Sequence, residues 1–351
     1  MNIEKSLRLI AGTPSVSGYE YLLHEGIFSL CKGVFDSVVS LKDNSVLAVK
    51  KCGRENAPKI LLNAHIDQIG MYVTAVHEGG FLSVVNIGGI DTNILYASQV
   101  TVYGKKTIKG VFVSTPPHLS GDRDAKLEKI SDFLIDTGLT EEELKDIVET
   151  GTPVVLDGAL DLLQNNMISS GSMDDRICMI AIIKAVSMIP PAEQKYDIYA
   201  LFSSQEEVTS LGASTGVYEI EPDMALVVDV GHANMKGIDK IGSLKYKKGP
   251  AVSFSATTSR KLSEAICRCA EVNNIPYQRV SEANNTGTDA HNIQIALEGI
   301  PATVLSLPLR NMHTPCEIIS LEDCDNMAAL ISAFVADGTY RGEEVCIVGK
   351  S

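Results

Sequence analysis

Short apolar, β-branched runs bounded by turn residues alternate with longer helical patterns along most of this sequence. The predicted core strands are residues 59–64, 197–203, 224–228 and 302–306. Their mostly continuous apolar character is typical of strands that are buried on both faces. Helical patterns cover residues 175–188 and 259–273, and an opening helix is predicted over residues 3–10. The alternation predicts an α/β fold with a mixed sheet flanked by helices.

The stretch from about residue 71 to residue 164 has a different residue pattern. It begins with four short β-like segments, at residues 71–75, 81–85, 99–102 and 108–113, among which two glycine pairs occur. This pattern predicts a small barrel or sandwich. Pro116-Pro117-His118 then leads into a charged loop, and a helix is predicted near Thr140, which has capping-box spacing to Glu143. Because the parallel-sheet signals stop before this stretch and resume after it, we interpret residues 71–164 as a domain inserted between residues 1–70 and 165–351.

Charge and composition restrict the partners. The sequence has 30 Lys and Arg residues against 44 Asp and Glu residues, a net charge of −14, which repels nucleic acid and anionic membranes. The N-terminus lacks the apolar core of a secretory signal, and the longest apolar runs, such as residues 177–183, are too short to span a bilayer. The eight cysteines include no CxxC pair, which disfavours a thiolate zinc site. We therefore expect a cytoplasmic protein that binds neither nucleic acid nor membrane.

Five polar clusters accompany the predicted strands and helices. They are His65-Ile66-Asp67, Asp174-Asp175-Arg176, Glu206-Glu207, Asp229 and His313. Each has an ordinary structural explanation, such as a strand-end hydrogen bond, a helix cap, a solvated turn or an exposed histidine. Together, however, they fall at or beyond the carboxyl ends of predicted strands, where open α/β sheets bind their ligands.

The chemistry of these clusters favours a metal site. Two imidazoles and several carboxylates suit zinc or cobalt, whereas calcium prefers more oxygen ligands. The set fits a dinuclear site in which one carboxylate bridges the two ions. In the pair Glu206-Glu207, one carboxylate can then bind metal while its neighbour takes a proton from the attacking water and passes it to a leaving amine. The clusters therefore predict hydrolysis of an amide.

Six motifs carry a resemblance to a known family. They are His65-Ile66-Asp67-Gln68-Ile69-Gly70, Asp174-Asp175-Arg176, Glu206-Glu207-Val208 with Gly212-Ala213, Val228-Asp229-Val230, Gly287-Thr288-Asp289-Ala290 and Met312-His313-Thr314-Pro315-Cys316-Glu317. In this order, and with Ser17-Gly18-Tyr19-Glu20 near the start, they resemble the dinuclear aminopeptidases that assemble into tetrahedral twelve-subunit shells. That family includes glutamyl and deblocking aminopeptidases, and many of its members were labelled endoglucanases.

The resemblance implies a role for each candidate site residue. It implies two divalent metal ions, zinc or cobalt, bridged by Asp174. His65 and Asp229 would complete the ligand set of one ion, and Glu207 and His313 that of the other. Glu206 would be the general base and acid, and Asp67 would hydrogen-bond the far nitrogen of His65 and fix its tautomer. Asp175 matches a position that is often Asn and is expected behind the ligands, whereas Asp289 matches a motif without an assigned role.

The resemblance also implies a fold, an assembly and a substrate class. The catalytic domain would be zinc-peptidase-like, and the inserted β-barrel would drive formation of a tetrahedral dodecamer whose active sites face an interior cavity and accept short peptides. The sequence departs from the family at Gln68, Thr209 and Gly171-Ser172, where Glu, Gly and Lys-Ala are common. None of these departures removes a ligand, so they concern substrate preference and rate more than metal binding.

Other functions stay open at this point. A related amidohydrolase, such as a carboxypeptidase or a deacetylase, would need a cation for the substrate carboxylate, and Arg176 and Arg310 are the arginines in or beside the motifs. A glycoside hydrolase needs two carboxylates and usually aromatic platforms, which a sequence without Trp supplies poorly. A catalytically inactive shell-forming scaffold is disfavoured because Glu206 and the five ligands are all present.

Overall fold

The computed structural model describes residues 1–114, 129–235, 243–283 and 286–341. Over these residues the helices are α1 Ile3–Ile10, α2 His24–Cys31, α3 Glu141–Ile147, α4 Met173–Met188, α5 Leu211–Ile220, α6 Arg260–Val272, α7 Ala290–Gln294 and α8 Leu321–Asp337. The strands are β1 Ser37–Ser40, β2 Val46–Lys50, β3 Lys59–His65, β4 Gly70–His77, β5 Phe81–Ile87, β6 Gln99–Tyr103, β7 Thr107–Phe112, β8 Leu134–Asp136, β9 Pro153–Leu156, β10 Asp161–Leu162, β11 Met167–Ser170, β12 Asp197–Ser203, β13 Met224–His232, β14 Ala251–Phe254, β15 Gln278–Ser281, β16 Ala302–Arg310 and β17 Glu317–Ser320.

A mixed sheet of eleven strands organises the larger part of the molecule. Its main path runs in the order β1-β2-β12-β3-β13-β16-β17-β11-β10. Off this path, β14 pairs with β16 on one side and with β15 on the other. Strands β12, β3, β13 and β16 are parallel neighbours and are the four strands predicted from the apolar runs. The flanking strands β2, β17 and β14 are antiparallel to them. The expectation of a mixed α/β sheet is therefore confirmed.

Strand β13 corrects one detail of the sequence interpretation. We expected this strand to end at Val228, with Asp229 following it, but β13 continues to His232. The reason is that its ladder with β16 extends past the polar residue, through Asp229 paired with Ser306 and His232 paired with Leu309. Asp229 is thus held by regular pairing on the sheet rather than in a loop.

Helices cover both faces of the sheet, as the continuous apolar strands predict. Alternate residues of β3 point to opposite sides: Ile60 and Leu62 belong to the larger core, while Leu61 belongs to the smaller one. The larger core is formed with α1, α2, α4, α6 and α8, and the smaller one with α5 and α7. Helix α4 is buried over most of its circumference, which explains why its sequence shows almost no polar face. Among the helices of the described residues, none combines the length and the hydrophobicity that a membrane span requires.

Strands β4 to β9 form a separate closed barrel with the order β4-β5-β8-β7-β6-β9. This is the small barrel predicted between residues 71 and 164, and its interior is filled by apolar side chains such as Met71 and Phe112. Helix α3 begins at the predicted capping box, in which Thr140 and Glu143 exchange hydrogen bonds of 2.9 and 3.3 Å. The stretch Pro116-Pro117-His118 and the charged loop after it lie outside the described residues.

Candidate metal centre

The predicted ligands meet at one edge of the sheet. His65 is the last residue of β3 and pairs with Ser203, the last residue of β12, so Glu206 and Glu207 follow at the same edge. Asp229 lies two residues beyond Val227, which pairs with Asn63, and is therefore level with His65. Strand β11 leads into α4 and runs in the same direction as β16, because both are antiparallel to β17. Asp174 at the start of α4 and His313 after β16 thus reach the same edge.

Side-chain distances show that these residues form one cluster. His65 Nε2 lies 3.0 Å from Asp174 Oδ1, and His313 Nε2 lies 3.5 Å from Asp174 Oδ2 and 3.3 Å from Glu207 Oε1. The two oxygens of Asp174 therefore face different histidines, as a bridging carboxylate requires. Two groups of potential ligand atoms, each within 4.8 Å of one another, share His65: one with Asp174 and Glu207, the other with Asp175 and Asp229.

The cluster contains several buried carboxylates, and their negative charges raise one another's pKa values. Burial, followed by the charges of Asp229, Asp289 and Glu207, raises the pKa of Glu206 to about 9 even though His65 acts in the opposite direction. Burial also raises the pKa of Asp229 to about 8 and that of Asp175 well above its usual range. The site thus holds more negative charge than it can keep ionised without a compensating cation.

The histidines compensate part of this charge. Hydrogen bonds to Asp174 and Glu207 raise the pKa of His313 to about 11. At His65, burial disfavours the charged ring, but the interactions with Asp174 and Asp67 outweigh it and raise the pKa. The two buried oxygens of Asp175 have no nitrogen or oxygen donor among the described residues, and the thiol of Cys178 is a weak donor beside them. Two imidazoles, several carboxylates and unpaired oxygens are a donor set that fits divalent cations of the zinc and cobalt type.

Asp67 contacts Nδ1, the far nitrogen of His65, mainly through its main chain. The backbone oxygen of Asp67 lies 3.1 Å from His65 Nδ1, and its carboxylate Oδ1 lies 3.4 Å away. An Nδ1–H group can therefore donate a hydrogen bond to Asp67, and in the neutral ring this tautomer leaves Nε2 as the nitrogen with a free lone pair on the side that faces Asp174.

The carboxylate of Asp67 has a second role that sequence reasoning missed. Its Oδ1 accepts a hydrogen bond from the backbone N–H of Glu206 at 3.0 Å, and its Oδ2 accepts one from that of Glu207 at 3.2 Å. Oδ2 also accepts a 2.7 Å bond from the Ser17 hydroxyl. Asp67 is fully buried, and its carboxylate fixes the position of the backbone N–H groups of Glu206 and Glu207.

Glu317 is another site residue that the sequence analysis left without a role. Its Oε1 accepts a 2.8 Å hydrogen bond from the backbone of His313, and its Oε2 accepts bonds of 2.7 and 3.2 Å from Met173 and Asp174. Burial raises the pKa of Glu317 to about 8, and the nearby charge of Asp174 adds to this. The available signal was its position four residues after His313 in the last motif.

The barrel segment also reaches the cluster. His313 Nδ1 lies 3.0 Å from the backbone oxygen of Gly89, which follows β5. A Cβ atom on Gly89 would lie only 3.2 Å from that ring nitrogen, so the backbone can approach the imidazole this closely because the residue is glycine. The orientation of one predicted ligand therefore depends on a loop between β5 and β6.

The two arginines near the motifs are engaged elsewhere. Arg176 is fully buried, and its terminal nitrogens donate to the backbone oxygens of residues 10 and 13, to the Ser15 hydroxyl and to Gln68 Oε1. Arg310 lies over the ring of Tyr246 at 4.6 Å and donates a 2.8 Å bond to the backbone of Asn234.

Asp289 accepts a 2.6 Å bond from the Ser203 hydroxyl and is buried behind the cluster.

The chain is similar to proteins of known name over nearly its whole length. The M42 glutamyl aminopeptidase family matches residues 44–330. The lysyl aminopeptidase of Pyrococcus furiosus is 32% identical over 343 residues, which cover 94% of this chain and 96% of that relative. An aminopeptidase from the archaeon Desulfurococcus kamchatkensis superposes with a TM-score of 0.89 at 29% identity, over 99% of this chain and 98% of that one. The TET1 peptidase of Pyrococcus horikoshii, which can assemble into a tetrahedron or a large octahedral shell, superposes with a TM-score of 0.85 at 28% identity, over 95% of this chain and 99% of that one. By sequence and by fold, the chain belongs to the M42 glutamyl aminopeptidase family.

Proposed function

We propose that this protein is a metal-dependent aminopeptidase that removes N-terminal residues from short peptides. Two divalent cations, zinc or cobalt, would be held by His65, Asp174, Glu207, Asp229 and His313. The observation that carries the proposal is the convergence of these five residues, far apart in the sequence, on one cluster beside Glu206. Membership of an aminopeptidase family supports the same reaction.

The proposed roles follow from the chemistry of each side chain. When bound, the cations would polarise the substrate carbonyl and lower the pKa of the attacking water. Glu206 takes the proton of that water and delivers it to the leaving amine, acting first as general base and then as general acid. Asp67 positions the backbone of Glu206, and Glu317 positions His313 and Asp174 through their backbone amides.

We also propose that residues 71–164 form the oligomerisation domain of a tetrahedral dodecamer. Two observations support this assembly. The Pyrococcus horikoshii relative forms shells, and the barrel strands β5 and β7 expose the apolar side chains of Val85 and Val111, each 42% accessible in the single chain. A cytoplasmic location remains our prediction from the sequence.

The alternative hydrolases fit these observations less well. A carboxypeptidase or a related enzyme would need a free cation to bind a substrate carboxylate, and the donors of Arg176 and Arg310 are directed to protein acceptors. A glycoside hydrolase needs no histidine ligands, and the sequence has no Trp for a sugar platform. An inactive scaffold would not need the complete ligand set.

The test is to measure hydrolysis of aminoacyl p-nitroanilides by apo, zinc-loaded and cobalt-loaded protein, together with Glu206→Gln. We expect metal-dependent release of p-nitroaniline, no release from N-acetylated substrates, and loss of at least about two orders of magnitude in turnover in Glu206→Gln with retained metal. Glu264→Gln, an exposed carboxylate on α6 that pairs with Arg260, is the matched control. Retained activity in Glu206→Gln, or fewer than one tightly bound ion per chain, would overturn the proposal.

A further inference from the structure

Gln68 lines two adjoining cavities beside the ligand cluster. A narrow cavity of about 30 Å³ is lined by Asp174, Glu207 and His313, so it opens onto the proposed site of reaction. A wider cavity of about 460 Å³ shares Gln68 and Leu156 with the narrow one. The two cavities therefore form a continuous path that leads away from the cluster, and Gln68 lies where they meet.

The neighbours of the Gln68 side chain determine the orientation of its amide group. The oxygen Oε1 accepts hydrogen bonds of 2.6 Å from Arg176 Nη2 and of 3.2 Å from the backbone N–H of Ser15. Both of these partners can only donate, so the atom that faces them must be the oxygen. The backbone is held as well, because the N–H of Gln68 donates a 3.0 Å bond to the Ser15 oxygen. The amide nitrogen Nε2 therefore points away from Arg176.

The Nε2 group of Gln68 is a donor without an acceptor in the part of the chain that the structure describes. The residue is only 5% exposed. Nε2 nevertheless stays accessible, unlike Arg176 Nε, which is both enclosed and unpaired. Because Gln68 lines the two cavities, the accessible N–H groups face the path between them. A rigidly held donor that faces a cavity is suited to binding an acceptor oxygen of a substrate.

A buried cation lies behind this amide. Arg176 is fully buried, and the hydrogen bonds of its terminal nitrogens all go to uncharged acceptors. Burial lowers the pKa of Arg176 to about 10, so the guanidinium is charged at neutral pH. Its hydrogen bond to Oε1 polarises the amide and strengthens the N–H groups of Gln68 as donors. Lys109, which lines the wider cavity, is instead paired with Asp157 at 2.9 Å.

The chemistry of a peptide substrate indicates which oxygen this donor would bind. The N-terminal residue contributes one backbone carbonyl group, and this is the scissile one, which lies at the cations. Every further backbone carbonyl belongs to the leaving peptide, and the nearest is that of the residue after the scissile bond. In a dipeptide, the same carbonyl is part of the terminal carboxylate.

We propose that the Gln68 amide donates a hydrogen bond to the backbone carbonyl oxygen of the residue that follows the scissile bond, so that Gln68 selects peptides over simple amides. This inference rests on the aminopeptidase function proposed above. A terminal carboxylate offers the same acceptor with a negative charge, which the guanidinium behind the amide favours. Dipeptides are therefore the preferred substrates.

The test compares three leucine substrates of the metal-loaded protein by the release of leucine. They are Leu-Ala, Leu-Ala-amide and leucine isopropylamide, in which a methyl group replaces the carboxamide of Leu-Ala-amide. We expect kcat/KM to be highest for Leu-Ala and lowest for the isopropylamide, which has no carbonyl group for Gln68.

Gln68→Glu removes the donor but keeps an acceptor for Arg176 and Ser15. The ratio of kcat/KM for Leu-Ala-amide to that for the isopropylamide should therefore fall about 3- to 10-fold. The ratio of Leu-Ala to the isopropylamide should fall about 10- to 100-fold, because the new carboxylate also repels that of the substrate. Gln164→Glu, the same change at an exposed position that lines neither cavity, should keep the wild-type ratios.

Three results would overturn the inference while leaving the aminopeptidase function intact. They are unchanged ratios in Gln68→Glu, an equal loss for all three substrates in that variant, and a wild type that cleaves the isopropylamide as efficiently as Leu-Ala-amide. An equal loss would mean that Gln68 acts on the scissile bond itself or on the fold. Absence of hydrolysis of every aminoacyl substrate by the metal-loaded wild type would overturn both proposals.

Discussion

Replacement of Asp67 by Asn tests whether one buried carboxylate positions the proposed proton-transfer residue. The carboxylate accepts hydrogen bonds from the backbone N–H groups of Glu206 and Glu207 through different oxygens. An Asn side chain of the same shape can serve one of these amides, but its NH₂ group must then face the other. One partly buried amide is left without an acceptor, which costs about 1–3 kcal/mol in the free energy of unfolding.

We also expect Asp67→Asn to lower kcat about 10- to 100-fold, the range found when groups that orient metal ligands are removed. The assays are urea unfolding of the metal-loaded protein at fixed concentration and steady-state kinetics on one p-nitroanilide. Ser17→Ala is the matched control, because it removes only the neutral hydroxyl donor to the same carboxylate and should cost about 1 kcal/mol. Wild-type stability and turnover in Asp67→Asn would refute the positioning role.

Three further substitutions test other parts of the structure. Glu317→Gln should weaken metal affinity about 10- to 100-fold in chelator competition, because one of three backbone amides at the site loses its acceptor; unchanged affinity would contradict this. Burial raises the pKa of Glu20 from 4.5 to about 7, so its contribution to stability is present below pH 4.5 and lost as pH rises through 7. Glu20→Gln should therefore be more stable than wild type at pH 8 but not at pH 4.5 in urea unfolding, and a constant difference between the two pH values would disprove the assignment. Gly80→Ala should destabilise the barrel by about 1–3 kcal/mol, since φ is +82° and a Cβ atom would lie 1.8 Å from the Leu139 oxygen; thermal unfolding should show a smaller loss in Gly138→Ala, where φ is +71° and the space is open.

The central strands were predictable because a strand that is buried on both faces has a nearly continuous run of apolar residues in the sequence. Strands β3 and β12 lie where the pattern placed them, and β13 and β16 begin there but extend further. The short strands β14 and β15 gave no comparable signal. Gln278–Ser281 contains a single apolar residue, Val280, and its pairing with Ala251–Phe254 joins segments more than twenty residues apart. Strand formation there depends on the tertiary partner more than on local preference.

The candidate site likewise combines residues that the sequence identifies with contacts that it does not. Ligand-type residues at strand ends are visible in a sequence, because sheet topology brings those ends to one edge. The roles of Asp67 and Glu317 depend on backbone amides that belong to other loops. Any residue supplies a backbone amide, so nothing in the side-chain pattern identifies these donors. The contact of His313 with Gly89 was equally invisible, because 224 residues separate them.

That contact has a consequence for attempts to shorten the enzyme. The carbonyl group of Gly89 holds the imidazole of His313 from the side opposite Asp174 and Glu207. Excision of strands β4–β9, to leave a minimal sheet-and-helix protein, would remove this acceptor and let the ring rotate about its Cβ–Cγ bond. A truncated enzyme would therefore need a substitute acceptor at the same place, however well the rest of the chain folded.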